Sequence, residues 1–375
     1  MIPLSEPVLQ GNELRYVQEC VHSRYVSSVG PFVGRFEREF AAAVGVRHAV
    51  ACASGTAALH VALRLAGARP GRLVAVSDFT FIASANAVSY TGADLLLVDS
   101  EPDTWNMNTA MLRDEVFRRA KLGRRMPSVV EVVHVLGHPA DIEPLLELRS
   151  RFGIRIVEDA AESLGASWVA GSSASRQVGS LGDFGCFSFN GNKIMTTGGG
   201  GMIVTDDADA ARLAKHLTMQ AKLPDRGYHH DMVGYNYRLT NIAAALGVAQ
   251  LERLGDAVRA KHRIAERYEA GLADAPLVLA PHAQWAEPTH WLYSVLLRGV
   301  ATGTDEVVER LEAQGVGARR VWPPLHRQQP YQHVERLGGG TAEDIYRRGV
   351  SLPSSIDMKE ADQDIAIAAL AEVIK

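Results

Sequence analysis

A single lysine stands in a long uncharged segment of this sequence. Residues 187–201 read FSFNGNKIMTTGGGG, and Lys193 is the only charged residue among them. The apolar side chains on either side, Phe189, Ile194 and Met195, are of the kind that proteins bury. Because a buried lysine usually needs a partner or a chemical task, the segment indicates an amine that takes part in chemistry.

Two other short segments place polar groups directly after predicted strands. Ser54, Gly55 and Thr56 stand before the first turn of a helix, where free N–H groups, the helix dipole and a hydroxyl suit a phosphate. The same residues would also make a good helix cap. Asp159 and Glu162 follow the apolar segment IRIV. A carboxylate at that point either caps a helix or pairs with a cation.

Pyridoxal phosphate needs the three kinds of group that these segments supply. Its aldehyde needs a lysine, its ring nitrogen needs a carboxylate, and its phosphate needs N–H and hydroxyl donors. We expect burial to lower the pKa of Lys193 and so favour the neutral amine. The uncharged side chains of Asn190 and Asn192 could orient this amine without pairing its charge.

Motifs for other kinds of chemistry are missing or out of place. The sequence has no G-x-x-x-x-G-K-[ST] phosphate loop, no G-x-G-x-x-G after a strand and no G-x-S-x-G elbow. His134 and His138 lie where a strand leaves the predicted sheet rather than on one face of a helix. We therefore predict no metal site.

The elements that position these residues follow one pattern. Through residues 48–160, short apolar segments typical of strands alternate with helical patterns, which predicts a mostly parallel sheet covered by helices on both faces. Ligands of such sheets bind at the carboxyl ends of the strands. Residues 240–272 predict one long helix, and the remainder predicts a smaller α+β unit. We therefore predict an α/β protein with a large cofactor-binding domain at residues 1–250 and a small C-terminal domain at residues 251–375.

The overall composition excludes several classes of protein. The chain has 375 residues, of which 47% are hydrophobic and 22% charged, and a formal net charge of −4; this is ordinary for a folded protein with a large core. It has no long basic block, no apolar segment long enough to span a bilayer, and only three cysteines. We expect a cytoplasmic protein with no nucleic-acid or membrane partner.

Many ordered motifs of the chain are similar to those of one known family. They include ASGTAALHVAL, FTFIASANAV, GHPADIEPL, VEDAAESLGA, GDFGCFSFNGNKIMTTGGGGMI and VGYNYRLTNIAAALG. Over nearly its whole length the chain resembles the DegT/StrS family of pyridoxal-phosphate-dependent sugar aminotransferases. The resemblance implies fold type I, the aspartate-aminotransferase-like architecture. FSFNGNK, the early SSVG and the late LPSS most resemble the branch that aminates nucleotide-linked sugars in the legionaminic-acid and bacillosamine pathways.

The resemblance also implies roles for individual residues. Lys193 matches the lysine that forms a Schiff base with the cofactor, and Asp159 matches the partner of its pyridinium nitrogen. Phe81 matches the aromatic residue that stacks on the pyridine ring, although on its own it would suit a core position on an amphipathic helix. Where relatives often carry Gln or His, this chain has Glu162, which would face the phenolic oxygen of the cofactor. The phosphate would be bound by Ser54, Gly55, Thr56 and Ser188.

The same resemblance implies a homodimer with shared active sites. Asn236 matches a residue that completes the phosphate site of the neighbouring subunit. The pyrophosphate and sugar of the substrate would lie at the interface near His230, Arg238 and His326. Arg238 could bind a carboxylate or phosphate with two hydrogen bonds, or it could have a purely structural role in its loop.

The activity implied by the resemblance is amino transfer from L-glutamate to C4 of a nucleotide-linked 4-keto-6-deoxy sugar. The motifs favour a UDP-linked 4-keto-6-deoxy-N-acetylglucosamine. GDP-4-keto-6-deoxymannose, the precursor of a perosamine, and other keto sugars remain alternatives. A non-catalytic pyridoxal-phosphate-binding regulatory protein is an alternative of another class, which would be expected to lack the lysine or the aspartate.

Overall fold

Helices and strands alternate along most of the chain in this computed structural model, which describes residues 1–375. The α-helices are α1 (Glu13–Ser23), α2 (Pro31–Val44), α3 (Gly55–Leu65), α4 (Ala83–Tyr90), α5 (Thr109–Lys121), α6 (Glu143–Phe152), α7 (Ala208–Thr218), α8 (Asn241–Leu251), α9 (Leu254–Leu272), α10 (Thr304–Ala313), α11 (Thr341–Arg348) and α12 (Glu360–Val373). The strands are β1 (His48–Cys52), β2 (Leu73–Ser77), β3 (Asp94–Val98), β4 (Val129–Val133), β5 (Arg155–Asp159), β6 (Ser167–Trp168), β7 (Phe184–Ser188), β8 (Gly201–Thr205), β9 (Leu277–Val278), β10 (Ala286–Glu287), β11 (Ser294–Leu297), β12 (Arg319–Arg320), β13 (Glu335–Leu337) and β14 (Gly349–Ser351).

The largest sheet has eight strands in the order β1-β8-β7-β5-β4-β2-β3-β13. Only β8 runs antiparallel to its neighbours, so the other strands end on the same edge of the sheet. The strands are apolar and largely buried, as expected for a sheet covered on both faces. The prediction of an α/β fold with a mostly parallel central sheet is confirmed.

Helices cover both faces of this sheet because neighbouring residues of a strand point to opposite sides. In β4, Val130 and Val132 pack into the core that also contains residues of α1, α2, α5, α6 and α8. Val129 points to the other core, together with residues of α3, α4 and α7. The site residues that follow β1, β5 and β7 are therefore held on a rigid, two-sided support.

A smaller four-stranded antiparallel sheet, in the order β12-β14-β11-β9, packs with α9, α10 and α12. Tyr268, Leu311 and Leu370 are completely buried in its core. Strand β13 comes from the same part of the chain but joins the large sheet, parallel to β3. The division of the chain into domains at residue 250 stays a prediction.

The prediction of one long helix at residues 240–272 is wrong. Helix α8 ends at Leu251 and α9 begins at Leu254. Helix α8 is packed against α1 and α2 in the core of the large sheet, whereas α9 packs against α12 in the smaller unit. The helix breaks between them because its two halves belong to different cores.

None of the helices combines the length and the apolar composition needed to cross a bilayer. The cytoplasmic location stays a prediction.

Candidate active site

Eight of the residues selected from the sequence line one cavity of about 410 Å³. The cavity lies at the carboxyl ends of β1, β4, β5 and β7, where ligands of parallel sheets bind. The eight residues are Ser54, Gly55, Thr56, Phe81, Asp159, Glu162, Ser188 and Lys193.

The first wall of the cavity is the start of α3. Ser54 caps this helix, because its Oγ accepts a hydrogen bond from the N–H of Ala57 at 3.1 Å. The capping interpretation of Ser54 is therefore correct, and the residue also lines the cavity. The hydroxyls of Thr56 and Ser188 have no hydrogen-bond partner within the chain and are free to donate to a ligand. A side chain at Gly55 would come within 2.8 Å of the Ser188 Cβ, so only glycine allows β7 and α3 to approach this closely.

Asp159 ends β5 and is 4% exposed. The hydroxyl of Ser84 donates to its Oδ2 at 2.8 Å, and the N–H of Ala161 donates to its Oδ1 at 3.1 Å. Burial raises the pKa of Asp159, and the hydrogen bonds from Ser84 and Ala161, together with the charge of Lys193, oppose this rise. The helix-capping interpretation is wrong, because no helix follows and the chain passes through turns to β6.

Lys193 lies in a turn after β7, and its side chain is 12% exposed. Its Nζ is 3.5 Å from Oε1 of Glu162 and 3.7 Å from the centre of the Trp291 ring. Burial lowers the pKa of Lys193, as expected, while the carboxylates of Glu162 and Asp159 oppose this effect. The structure therefore holds the amine between a carboxylate and an aromatic face.

Two expectations about the surroundings of Lys193 need correction. The side chains of Asn190 and Asn192 bond to each other at 3.2 Å, so they do not orient the amine, which pairs with Glu162 instead. The Oε2 of Glu162 accepts a hydrogen bond from the N–H of Leu136 at 2.9 Å, and burial raises the pKa of this carboxyl. Glu162 thus faces the lysine, which was not anticipated from the sequence.

Phe81 lies in the connection between β2 and α4 and is 53% exposed. The alternative of a core position on a helix is wrong, because the side chain lies before the helix and lines the cavity. Its stacking on a cofactor ring stays a prediction.

Four of the selected residues do not line the cavity within one chain. Asn236 is exposed and accepts a hydrogen bond from the Arg238 guanidinium at 3.4 Å, while Nε of Arg238 is buried without a partner. The ring of His230 lies 2.9 Å from the carbonyl oxygen of Gln220. The ring of His326 pairs with Asp78 at 2.6 Å. Their roles in a second subunit's site stay predictions.

The structure adds four residues that the sequence did not single out. Ser84 binds Asp159, and Trp291, Trp322 and Arg319 line the cavity from the smaller unit. The rings of Trp291 and Trp322 are nearly parallel, with centres 6.1 Å apart. Nε1 of Trp291 also donates to the carbonyl of Asn192 at 2.6 Å and so fixes the backbone next to Lys193. The one feature of the sequence that could have drawn attention to Trp291 and Trp322 is that tryptophan is rare, occurring five times in the chain.

The sequence profile described as the DegT/DnrJ/EryC1/StrS aminotransferase family matches residues 7–371. The chain belongs to this family. It is 42% identical over 376 residues to a GDP-perosamine synthase of Caulobacter vibrioides, covering 100% of this chain and 98% of that protein. It is 39% identical to a putative pyridoxal phosphate-dependent aminotransferase, EpsN of Bacillus subtilis, covering 98% of this chain and 95% of that protein. A solved DegT DnrJ EryC1 StrS aminotransferase from Brucella abortus has a TM-score of 0.89 and 30% identity, covering 97% of this chain and 95% of that one.

Membership of the family confirms several predictions made from the sequence. The protein has the fold type I architecture, depends on pyridoxal phosphate, and is a transaminase. The alternative of a non-catalytic regulatory protein is set aside.

The groups that line the cavity fit pyridoxal phosphate. Free hydroxyls of Thr56 and Ser188 beside the start of α3 suit a phosphate, and a buried carboxylate at Asp159 suits a protonated ring nitrogen. Lys193 supplies the only amine in the cavity. The three requirements of the cofactor are therefore met on one surface.

Proposed function

We propose that this enzyme transfers the amino group of L-glutamate to C4 of GDP-linked 4-keto-6-deoxymannose. The observation that carries the choice of sugar is the 42% identity, over both whole chains, to a protein named GDP-perosamine synthase. The short sequence motifs favour a UDP-linked 4-keto-6-deoxy-N-acetylglucosamine, which is the second candidate. A likeness that extends over the whole chain carries more weight here than three short motifs.

In the proposed reaction, the residues of the cavity divide into those that hold the cofactor and one that moves a proton. Ser54, Gly55, Thr56 and Ser188 would hold the phosphate, and Phe81 would cover one face of the ring. Asp159 would keep the ring nitrogen protonated. When bound, the cofactor supplies an electron sink for the carbon that loses a proton.

Lys193 is the proposed proton carrier in both half-reactions. Its lowered pKa favours the neutral amine, which can accept the proton from the donor carbon and, in the second half-reaction, deliver a proton to the sugar carbon that receives the amine. Glu162 stays 3.5 Å from this amine and can stabilise it once it is charged. Trp291, which is 2% exposed, shields the amine from water on one side.

We also propose a homodimer in which Asn236, His230 and Arg238 act at the partner's site. The surface around them carries exposed apolar side chains, with Tyr228 90% and Val233 76% exposed. A second subunit on this surface would cover these apolar groups.

The test of the proposed substrate is a direct competition. The cofactor-loaded enzyme is incubated with L-glutamate and equal amounts of the GDP-linked and UDP-linked keto sugars, and the products are identified by mass spectrometry. The proposal predicts that the GDP-linked amino sugar forms faster. Faster conversion of the UDP-linked sugar would support the second candidate, and conversion of neither would reject both.

A further inference from the structure

Three side chains that can bind a metal ion converge beside the smaller unit. Glu269 lies near the end of α9, His282 in the connection between β9 and β10, and His290 in the connection between β10 and β11. One possible ligand atom of each side chain lies within 4.8 Å of the other two. None of the three residues lines the cavity that contains Lys193. This three-residue cluster is therefore separate from the active site.

The buried histidine of the cluster, His290, has no hydrogen-bond partner. It is 8% exposed, and neither nitrogen of its ring bonds to another group of the chain. Two other buried histidines differ in this respect. Nδ1 of His138 donates to the carbonyl of Pro139 at 2.7 Å while Nε2 accepts from the N–H of Ala283 at 3.1 Å, and both ring nitrogens of His134 are bonded as well. Because buried polar groups are almost always paired, His290 needs a partner that the chain does not supply.

A second buried polar group next to the cluster is also unpaired. Tyr293 is completely buried, its ring centre lies 6.0 Å from that of His290, and its hydroxyl has no well-aligned hydrogen-bond partner. Burial raises the pKa of Tyr293 and the charge of Glu269 raises it further, which places the hydroxyl near that carboxylate. A water molecule bound to a cation at the cluster would supply the missing partner.

Two imidazoles and one carboxylate form a ligand set that zinc prefers, with water as a fourth ligand. Zinc bonds to these ligands are about 2.0 to 2.2 Å long, so the ligand atoms lie at most about 4.4 Å apart. Small rotations of Glu269, which is half-buried, and His282, which is exposed, are enough to reach that spacing. Both side chains line an open depression of about 510 Å³, through which an ion can enter. Burial lowers the pKa of His290 to about 3, so its ring is neutral, as a metal ligand must be.

We propose that the three-residue cluster binds a zinc ion, which ties the segment that carries Trp291 to α9. Trp291 directly follows His290, and its carbonyl already accepts a hydrogen bond from Lys261 of α9 at 2.6 Å. A metal ion shared by His290 and Glu269 would add a second connection between the same two elements. The ion has a structural role, and the chemistry at Lys193 does not require it.

The first experiment measures zinc binding directly. Zinc is titrated by calorimetry into cofactor-loaded enzyme that has no affinity tag and has been freed of metal with a chelator. We expect one zinc ion per chain, bound at least about 10- to 100-fold more weakly by His282→Ala and by Glu269→Gln. Both of these side chains reach the surface, so the variants should fold.

His262→Ala is the matched control for these variants. His262 lies on the same helix as Glu269, but Nε2 of its ring already bonds to the carbonyl of Pro288 at 3.1 Å. This variant should bind zinc as the native enzyme does. A native enzyme that binds no stoichiometric zinc, or equal zinc binding by the native enzyme, His282→Ala and Glu269→Gln, would overturn the proposal.

The second experiment tests the structural role of the ion. Amide hydrogen exchange of peptides that cover residues 279–293 is followed by mass spectrometry with and without zinc. Zinc should slow this exchange about 10-fold or more in the native enzyme and leave it unchanged in His282→Ala. Unchanged exchange in the zinc-bound native enzyme would show that the ion does not hold this segment. Neither experiment uses a substrate, so the results do not depend on the proposed amino transfer.

Discussion

Replacing Glu131 by leucine should stabilise the enzyme, because this carboxyl is buried without a partner. Glu131 lies in the middle of β4, is 0% exposed, and neither of its oxygens has a hydrogen-bond partner. It is in register with Val157, two residues before Asp159 on the same face of the neighbouring strand. Burial raises the pKa of Glu131 well above its usual value, and the charge of Asp159 raises it further. We infer that Glu131 stays neutral in the folded enzyme, so that Asp159 carries the charge.

The size of the effect follows from the linkage between protonation and folding. Because the pKa of Glu131 is higher in the folded state than in the unfolded state, the folded state binds the proton more tightly. The stability that results is fully present below the unfolded-state pKa of 4.5 and is lost as the pH rises toward the folded-state pKa. Each pH unit is worth about 1.36 kcal/mol. If Glu131 stays neutral, between pH 4.5 and pH 7 the native protein loses about 3 kcal/mol of unfolding free energy relative to a variant without this carboxyl.

The assay is urea unfolding of cofactor-loaded native enzyme, Glu131→Leu and Glu131→Gln at pH 5 and pH 7. The glutamine variant is the matched control, since it keeps a polar side chain of the same shape but cannot ionise. For both variants, the gain in unfolding free energy over the native enzyme should increase by about 2 to 3 kcal/mol from pH 5 to pH 7. A gain that does not change with pH would refute the reasoning, since it would mean that the native carboxyl is charged in the folded state.

Three further predictions concern the site and its supports. Asp159→Asn should retain the cofactor but slow the glutamate half-reaction by several powers of ten, as seen in single-turnover absorbance; near-normal conversion would remove Asp159 from its proposed role. Asn236→Ala should weaken cofactor retention about 10- to 100-fold in equilibrium dialysis. A native enzyme that is fully active as a monomer in solution would contradict the shared site. Burial lowers the pKa of Lys261 to about 7, and its Nζ donates hydrogen bonds to the carbonyls of Trp291 and Ser354. Because the lysine takes up its proton at a higher pH in the unfolded chain than in the folded one, the unfolding free energy should decrease as the pH falls from about 10 toward 7. Lys261→Met should flatten that pH dependence in thermal melting, and an unchanged slope would show that the lysine is charged when buried.

The parts of the site that the sequence predicted are those built from local segments. Lys193, Asp159 and Ser54 each lie within a few residues of the end of a strand, so the pattern of strands and polar ends placed them on one edge of the sheet. The parallel sheet itself followed from the apolar strands, which alternate with helical segments.

The parts that the sequence did not predict depend on contacts between distant segments. Trp291 and Arg319 reach the cavity from the smaller unit, about a hundred residues or more beyond Lys193, and nothing local marks them as ligands of the same site. The pairing of Lys193 with Glu162 depends on where two strands end relative to each other. The break between α8 and α9 likewise reflects two cores that become distinct only in the folded chain.

The transfer of the amino group can be followed through its nitrogen atom. Cofactor-loaded native enzyme and Lys193→Ala are each given L-glutamate with an isotope-labelled amino nitrogen and GDP-linked 4-keto-6-deoxymannose, and the sugar nucleotide is analysed by mass spectrometry. We expect labelled GDP-linked 4-amino sugar from the native enzyme and none above background from Lys193→Ala, although that variant remains folded. Labelled product formed by Lys193→Ala at a substantial fraction of the native rate would show that Lys193 does not carry the reaction, and no labelled product from the native enzyme would show that this sugar is not its acceptor.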